Sequence, residues 1–227
     1  MVMQTVAEGA IILAGGPSSR MGEPKALVEV EGEAMLLRVM KALQTSGIHQ
    51  VILSFKNQEQ ATAVISALQQ GPFRRLKAPK KWPPVIEGEG LAIRMVFDED
   101  LNQNQNSAVR GMSGAVIVAH QLGWETVQIV PCDVPFIDSR LFPLLYSNLS
   151  KHKNCAVAQS ESGIEPLLFC AKTEALNGAL SDMGMAAHEV ISKMRSVEVG
   201  PTAWRNVGIT NHCFTNVNSK EDLKFLN

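Results

Sequence analysis

The stretch Ala10–Lys25, AIILAGGPSSRMGEPK, decides the fold class. Its first four residues are all apolar and are followed by Gly15 and Gly16, as in a strand that is buried on both faces. Such strands belong to parallel sheets, and open α/β sheets bind ligands at the carboxyl ends of their strands. The stretch therefore predicts the first strand of a parallel sheet and, directly after it, a ligand-binding loop.

The rest of the chain alternates short apolar runs with segments of helical periodicity. The predicted strands are 10–13, 51–55, 93–97, 127–130 and 155–159. The predicted helices are 33–45, 59–69, 108–122 and 139–149. Strands that alternate with helices of this length predict right-handed βαβ units. We therefore expect an α/β fold with a Rossmann-like, doubly wound, mostly parallel sheet and helices on both faces.

The rhythm changes after residue 159. The apolar run 163–170 predicts an edge or antiparallel strand, because Pro166 fits a sheet only at an edge or a bulge. We expect the last third of the chain to depart from strict βαβ alternation. Its remaining predicted elements are helices at 173–180, 186–193 and 220–226 and short strands at 197–199 and 213–214.

Length and composition bound the class of protein. The 227 residues suit one domain, 1–227, and 45% hydrophobic against 19% charged residues is typical of globular proteins. Lysine and arginine total 21 and aspartate and glutamate 22, which excludes a globally basic nucleic-acid binder. No apolar run approaches the roughly 20 residues that span a bilayer, and we identify no signal peptide. We expect a cytoplasmic protein with no membrane or nucleic-acid partner, as a monomer or a homodimer.

One segment, 71–90, breaks the alternation. It is rich in proline and basic residues and is predicted to be an insertion within the domain. Two interpretations remain open for it. It is either a solvated surface loop or a basic flap over a phosphorylated substrate or a partner surface.

The glycine-rich loop carries groups that suit a nucleotide. Gly15 and Gly16 let the backbone approach a phosphate or a base closely, and Ser18 can donate to phosphate oxygens. Arg20 and Lys25 supply two cations, which a triphosphate requires as charge compensation. The spacing fits neither a Walker loop nor a dinucleotide fingerprint. Phosphate binding and an ordinary tight turn both remain compatible with it.

Three further positions are candidates for the same crevice. Asp133 follows the strand 127–130, and Mg²⁺ prefers one or two carboxylates together with substrate phosphates. Asp98 ends another strand and could accept from a ribose hydroxyl or help position a metal. Gly114, early in a predicted helix, could let a nucleotide lie against that helix. Each position also has a purely structural interpretation. Asp133 could be a capping or turn residue, Asp98 could belong to an acidic turn, and Gly114 could allow close helix–sheet packing.

The loop resembles the signature of the MobA-like nucleotidyltransferases, a family that includes the molybdenum cofactor guanylyltransferases. The matching positions are Leu13-Ala14-Gly15-Gly16-x-Ser18-x-Arg20-Met21-Gly22-x-x-Lys25. Four further blocks are similar to the family's in the same order along the chain. They are Gly111–Ala115, Pro131–Ile137, Glu165–Leu168 and Phe214–Leu223.

The resemblance implies that the phosphate of an acceptor attacks the α-phosphate of a nucleoside triphosphate and that pyrophosphate leaves, with Mg²⁺ as cofactor. Arg20 and Lys25 would hold the phosphates and stabilise the developing charge, and Asp133 would bind the metal. Asn216 and Asn218 would line the acceptor side. The nucleotide would be bound by Leu13, Ala14, Gly15, Gly16, Ser18, Lys25, Asp98 and Gly114.

The same resemblance favours GTP, because the family pairs Leu-Ala-Gly-Gly with guanine and Leu-Ala-Ala-Gly with cytosine. A missing methyl at Gly15 would leave room for a purine edge. The expected acceptor is molybdopterin. Pro24, Ser54 and the insertion depart from the family pattern and keep other readings open. These are CTP as donor, another acceptor (a sugar phosphate, cobinamide phosphate or phospholactate), or a non-catalytic nucleotide-binding relative.

Overall fold

A nine-stranded mixed sheet forms the centre of the molecule. The computed structural model describes residues 6–16, 24–70, 73–75, 86–88, 90–97, 107–181, 185–218 and 222. The strands are β1 (Gly9–Leu13), β2 (Glu29–Val30), β3 (Glu33–Ala34), β4 (Gln50–Phe55), β5 (Arg74–Arg75), β6 (Ile86–Gly88), β7 (Leu91–Phe97), β8 (Thr126–Pro131), β9 (Cys155–Ser160), β10 (Gly163–Lys172) and β11 (Ser196–Val199). In the large sheet they follow the order β11-β9-β10-β8-β1-β4-β7-β6-β5, while β2 and β3 form a separate hairpin.

The central strands β8, β1, β4 and β7 are mutually parallel, so their carboxyl ends meet at one edge. β10 runs antiparallel between β8 and β9, and β6 is antiparallel to β7. This arrangement confirms the doubly wound, mostly parallel α/β prediction. It brings the carboxyl ends of β1, β4 and β8 to a common crevice.

Helices cover both faces of the sheet. They are α1 (Met35–Ser46), α2 (Gln58–Gln70), α3 (Ser107–Gln121), α4 (Leu141–Ser147), α5 (Thr173–Ala179), α6 (Ala187–Lys193) and α7 (Pro201–Asn206). α1, α2, α4 and α7 enclose one buried apolar cluster, and α3, α5 and α6 enclose another on the opposite face. The alternating side chains of β1 contribute Ile12 to the first cluster and Ile11 to the second.

The longer helices form where the sequence predicts them. In α1 the buried residues Leu36, Val39, Met40 and Leu43 recur at helical spacing and point to the first cluster. The helix ends at Gly47, whose left-handed φ of 100° lets its N–H reach the carbonyl of Gln44.

Several predicted elements need correction. Residues 213–214 are part of a 3-10 turn, Asn211–Phe214, rather than a strand, because a two-residue apolar run does not distinguish a strand from a buried turn. The strand 163–170 is antiparallel but internal, and its register shifts between Ile164 and Phe169, which accommodates Pro166. Of the predicted helix 220–226, only Asp222 lies among the described residues.

The described part of the insertion 71–90 belongs to the sheet rather than to a loop. β5 and β6 pair antiparallel and extend the sheet beyond β7, and Phe73 and Ile86 are buried in the first cluster. The basic flap predicted for this segment falls mainly on residues 76–85, which lie outside the described part of the chain. None of the helices in the described part of the chain combines the length and the hydropathy of a membrane span.

Candidate active site

A cleft opens at the carboxyl edge of the parallel strands. The ends of β1, β4 and β8, the first turns of α3 and the irregular part of β10 all reach it. Its lining residues are Leu13, Gly15, Gly16, Lys25, Ser54, Ala108, Gly111, Pro131, Cys132, Asp133 and Leu167. This is the crevice in which open α/β sheets bind their ligands.

Lys25 is the cation of the cleft among the residues that the structure describes there. It begins the 3-10 turn Lys25–Leu27 and is only 8% exposed. Its Nζ donates to Asp133 Oδ2 and to Asn218 Oδ1, each at 2.6 Å. Residues more than 100 positions apart in sequence thus meet at one ammonium group, and charge-assisted hydrogen bonds of this kind are strong.

A small satellite core holds the three segments that carry these groups. It consists of Val28, Val30, Met35 and Val217, with Phe136 packed against it. The N–H of Val217 donates to the carbonyl of Asp133 at 2.9 Å, which fixes the segment that ends in Asn218 beside β8.

Arg38, on α1, ties the loops together with its guanidinium group. Its Nε donates to the carbonyl of Pro135 at 2.9 Å and its Nη1 to the carbonyl of Val30. The guanidinium carbon also lies 5.2 Å from the centre of the Phe136 ring, within cation–π range. Arg38 therefore connects the segment after Asp133 to the hairpin that follows Lys25.

Asp133 retains an acceptor for another ligand. Its Oδ1 is buried and makes no hydrogen bond within the described part of the chain, whereas Oδ2 faces Lys25. A buried carboxylate oxygen without a partner is costly, so a cation or donor from a bound ligand would satisfy it. The Lys25 ammonium group already shows that the space between Asp133 and Asn218 accepts positive charge.

The structure brings together some of the predicted site residues and separates others. Leu13, Gly15, Gly16, Lys25 and Asp133 line the cleft, and Asn218 contacts Lys25. Ala14 is fully buried beneath the loop. Ser18, Arg20 and Asp98 lie outside the described residues, so their placement stays a prediction.

Two predicted positions do not reach the lining. Gly114 is buried in α3 but does not line the cleft, whereas Gly111, one turn earlier, does. Asn216 is exposed and, within the described part of the chain, contributes neither to the lining nor to the contacts of Lys25.

The sequence interpretation missed Ser54 and Leu167 as lining residues. Ser54 is 1% exposed and is the second-last residue of β4, at the carboxyl edge, a position that could have indicated it. Leu167 reaches the cleft through the irregularity of β10, which no sequence pattern announces.

Gly15 has a structural reason to be glycine. A Cβ at this position would lie 2.9 Å from the backbone nitrogen of Lys56 and 3.3 Å from the carbonyl carbon of Phe55. Backbone atoms cannot move aside cheaply, so the end of β1 can approach β4 this closely only without a side chain. The missing methyl at Gly15 is therefore accounted for by strand packing and does not by itself select a purine.

Cys132 lines the cleft, but it belongs to the first buried apolar cluster and its thiol is not in the reactive form. Burial, and then the neighbouring Asp133 carboxylate, raise the pKa of Cys132 to about 12. The thiol therefore stays protonated near neutral pH, whereas the reactive form is the thiolate.

We expect Cys132→Ala to retain turnover within about threefold, because the thiol supplies packing and no chemistry. Iodoacetamide at pH 8 should leave Cys132 of the folded protein unmodified in a peptide-mass analysis. A loss of turnover of about 100-fold at an unchanged melting temperature would contradict this role.

The chain matches the family model of the MobA-like NTP transferase domain over residues 10–197. It belongs to this family and is a nucleotidyltransferase. The match covers β1, the cleft-lining part of α3 and the segment around Asp133. It confirms the resemblance that the glycine-rich loop indicated.

Solved structures with the same fold carry different nucleotides in their names. Molybdopterin-guanine dinucleotide biosynthesis protein A from Archaeoglobus fulgidus is 17% identical, with a TM-score of 0.67 over 96% of this chain and 95% of its own. The 4-diphosphocytidyl-2C-methyl-D-erythritol synthase from Anaerococcus prevotii is 13% identical, with a TM-score of 0.61 over 96% and 94%. At these identities the likeness establishes the fold and leaves the base and the acceptor open.

Proposed function

We propose that this nucleotidyltransferase transfers GMP from GTP to the phosphate of molybdopterin, with Mg²⁺ as cofactor. An oxygen of the acceptor phosphate would form a bond to the α-phosphorus. The bond from that phosphorus to the oxygen that bridges to the β-phosphate would break, and pyrophosphate would leave with the electron pair. The observation that carries the proposal is the convergence of Lys25, Asp133 and Asn218 at the cleft that Gly15 and Gly16 also line.

The residues at the cleft suit Mg²⁺. Asp133 offers a buried, unpartnered carboxylate oxygen, and Asn218 offers an amide oxygen on the same ammonium group. Within the described residues no cluster of three or more His, Cys, Asp or Glu side chains could hold a metal alone. One carboxylate supplemented by substrate phosphates is the arrangement that Mg²⁺ prefers. When bound, the ion would polarise the α-phosphate and neutralise its charge.

Lys25 is the residue that would respond most to nucleotide binding. Its ammonium group is positioned by two oxygens, and the residue is only 8% exposed, so its charge is weakly screened. A triphosphate in the cleft would offer this group oxygens that carry more negative charge than the Asn218 amide. Lys25 would then stabilise the charge that develops on the α-phosphate and the departing pyrophosphate.

GTP and molybdopterin are supported by the resemblance of the loop to the guanylyltransferases and by the likeness to the Archaeoglobus protein. The packing role of Gly15 weakens the argument from the loop for GTP, because strand packing alone explains the missing methyl group. CTP is therefore the competing donor to be tested, and its case rests on the cytidyl name of the Anaerococcus protein.

Nucleotide binding by calorimetry tests the donor. We expect GTP to bind at least about tenfold more tightly than CTP, ATP or UTP, and to bind more weakly without Mg²⁺. Pyrophosphate release with GTP and Mg²⁺ then tests the acceptor, with molybdopterin, a sugar phosphate, cobinamide phosphate and phospholactate compared in parallel. Tighter binding of CTP would overturn GTP as the donor, and release with another acceptor alone would overturn molybdopterin. Binding of GTP without pyrophosphate release from any acceptor would favour a non-catalytic nucleotide-binding relative.

A further inference from the structure

The hydrogen-bond ladder between β1 and β4 ends in bonds to a side chain, at a point where a bond between two backbone groups would be expected. The Ala14 N–H donates to the Ser54 carbonyl at 2.9 Å, in register with the parallel pairing. The even spacing of a parallel ladder would next pair the Lys56 N–H with the Ala14 carbonyl. Instead, the Lys56 N–H donates to Gln60 Oε1 at 3.2 Å, and Gln60 Nε2 donates to the Ala14 carbonyl at 3.0 Å.

The Gln60 carboxamide is therefore inserted between the two strand ends. It is half-buried, and Gln60 Nε2 also makes a longer contact of 3.5 Å to the carbonyl of Gly16. The N–H of Gln60 donates to Asn57 Oδ1 at 2.9 Å, which anchors the first turn of α2 beside the same loop. Both ends of the carboxamide are used, so its orientation is fixed by its partners.

The inserted carboxamide of Gln60 fixes the orientation of the peptide group between Ala14 and Gly15. In a trans peptide the C=O and N–H are directed oppositely, so the Gly15 N–H points away from Gln60. On that side of β1 the Leu13 carbonyl accepts from the Cys132 N–H at 3.2 Å, and Pro131 and Asp133 line the cleft. The Gly15 N–H makes no hydrogen bond to any described residue. Within the described part of the chain it is therefore an unused donor, and the peptide geometry directs it to the cleft.

We propose that Gln60 is a positioning residue that holds the backbone at residues 14–16 so that the Gly15 N–H donates to the bound nucleotide. The inference rests on the proposed function, because it requires a nucleoside triphosphate in the cleft. Among the described residues, the Gln60 side chain bonds only to the backbone of Ala14, Gly16 and Lys56, so it would contribute to affinity through that backbone. It should therefore affect nucleotide binding more than the rate of the chemical step.

Two substitutions at Gln60 and one matched control test this role. Gln60→Met keeps the length of the side chain and removes both hydrogen bonds. Gln60→Glu keeps the acceptor for Lys56 but turns a carboxylate oxygen toward the Ala14 carbonyl. Gln69→Met makes the Met substitution at an exposed site near the end of the same helix. The readouts are the Kd of GTP with Mg²⁺, the turnover number at saturating GTP, and the melting temperature.

We expect Gln60→Met to raise the Kd of GTP about tenfold, as two lost neutral hydrogen bonds imply, and to change saturated turnover less than about threefold. Gln69→Met should match the wild type in all three readouts. Gln60→Glu should bind poorly at pH 7.5. At pH 5 its Kd should move toward that of the wild type at the same pH. The Ala14 carbonyl raises the pKa of a carboxyl that faces it, and the protonated form regains an O–H donor for Ala14.

The outcomes separate this inference from the proposed function. Wild-type binding of GTP with an unchanged Kd in Gln60→Met overturns the positioning role alone. A fall in melting temperature and saturated turnover together, with no recovery of Gln60→Glu at pH 5, assigns Gln60 a merely structural role and also overturns it. If the wild type binds no nucleotide at either pH, the proposed function fails, and the inference fails with it.

Discussion

Replacing Asp133 by asparagine is expected to lower the turnover number by at least about 100-fold, because it removes the carboxylate of the site. Asparagine keeps the shape of the side chain and an oxygen acceptor, so the change is mainly one of charge. Asp133 Oδ2 now faces Lys25 at 2.6 Å, and Oδ1 is the buried oxygen available to a cation. Pyrophosphate release at saturating GTP and Mg²⁺, with the melting temperature recorded alongside, measures the effect.

Asp138→Asn is the matched control for this variant. Asp138 follows five residues later, outside the cleft lining, and its carboxylate pairs with Arg140 at 2.6 Å. The hydrogen bond from Arg140 keeps the pKa of Asp138 below its usual value, so the substitution removes a genuine negative charge. Turnover of Asp138→Asn should stay close to that of the wild type. Equal losses in the two variants would indicate a general effect of charge or stability and would remove Asp133 from the chemistry.

Lys25→Met is expected to reduce turnover by about 100-fold or more at saturating GTP. Methionine fills a similar volume, but it supplies no charge to the α-phosphate or to the departing pyrophosphate. The substitution also leaves the Asp133 carboxylate, whose side chain is 18% exposed, without its cation. Steady-state pyrophosphate release, together with urea unfolding, separates the catalytic loss from the loss of stability.

The control for Lys25 is Lys41→Met on α1. The side chain of Lys41 is 64% exposed and forms a surface ion pair with Glu33, so its loss should change both readouts little. The double variant Lys25→Met, Asp133→Asn removes both charges of the pair. It should be more stable to urea than either single variant, because a buried charge that lacks its partner is the main cost. Turnover of Lys25→Met near that of the wild type would exclude Lys25 from the mechanism.

The sequence predicted the elements whose signal is local. β1 is apolar on both faces, α1 repeats its buried residues at helical spacing, and both formed within two residues of the expected bounds. The antiparallel β10 was also predictable, because Pro166 restricts where its strand can pair. The hairpin β5–β6 was not, since its few residues carry no periodicity and gain their order by pairing with β7.

The part of the site that could be predicted from the sequence consists of residues that follow predicted strands, directly or within the next loop. Lys25 and Asp133 each follow a strand or its loop, so their meeting at the carboxyl edge could be expected from the parallel sheet. Asn218 as a partner of Lys25 depends on the packing of Val217 against the satellite core, a contact across almost the whole chain. The role of Gln60 could not be predicted, because it follows from a backbone hydrogen bond between β1 and β4 that is replaced by bonds to its side chain.

The fate of the α-phosphate of GTP tests the central claim most directly. GTP labelled at that phosphate is incubated with the protein, Mg²⁺ and molybdopterin. The products are separated, and their masses are measured by mass spectrometry. We expect the label in a product heavier than molybdopterin by one GMP unit, with one unlabelled pyrophosphate for each transfer and no product from Asp133→Asn. Label recovered only as free GMP or GDP, or transfer that proceeds equally in Asp133→Asn, would contradict the account.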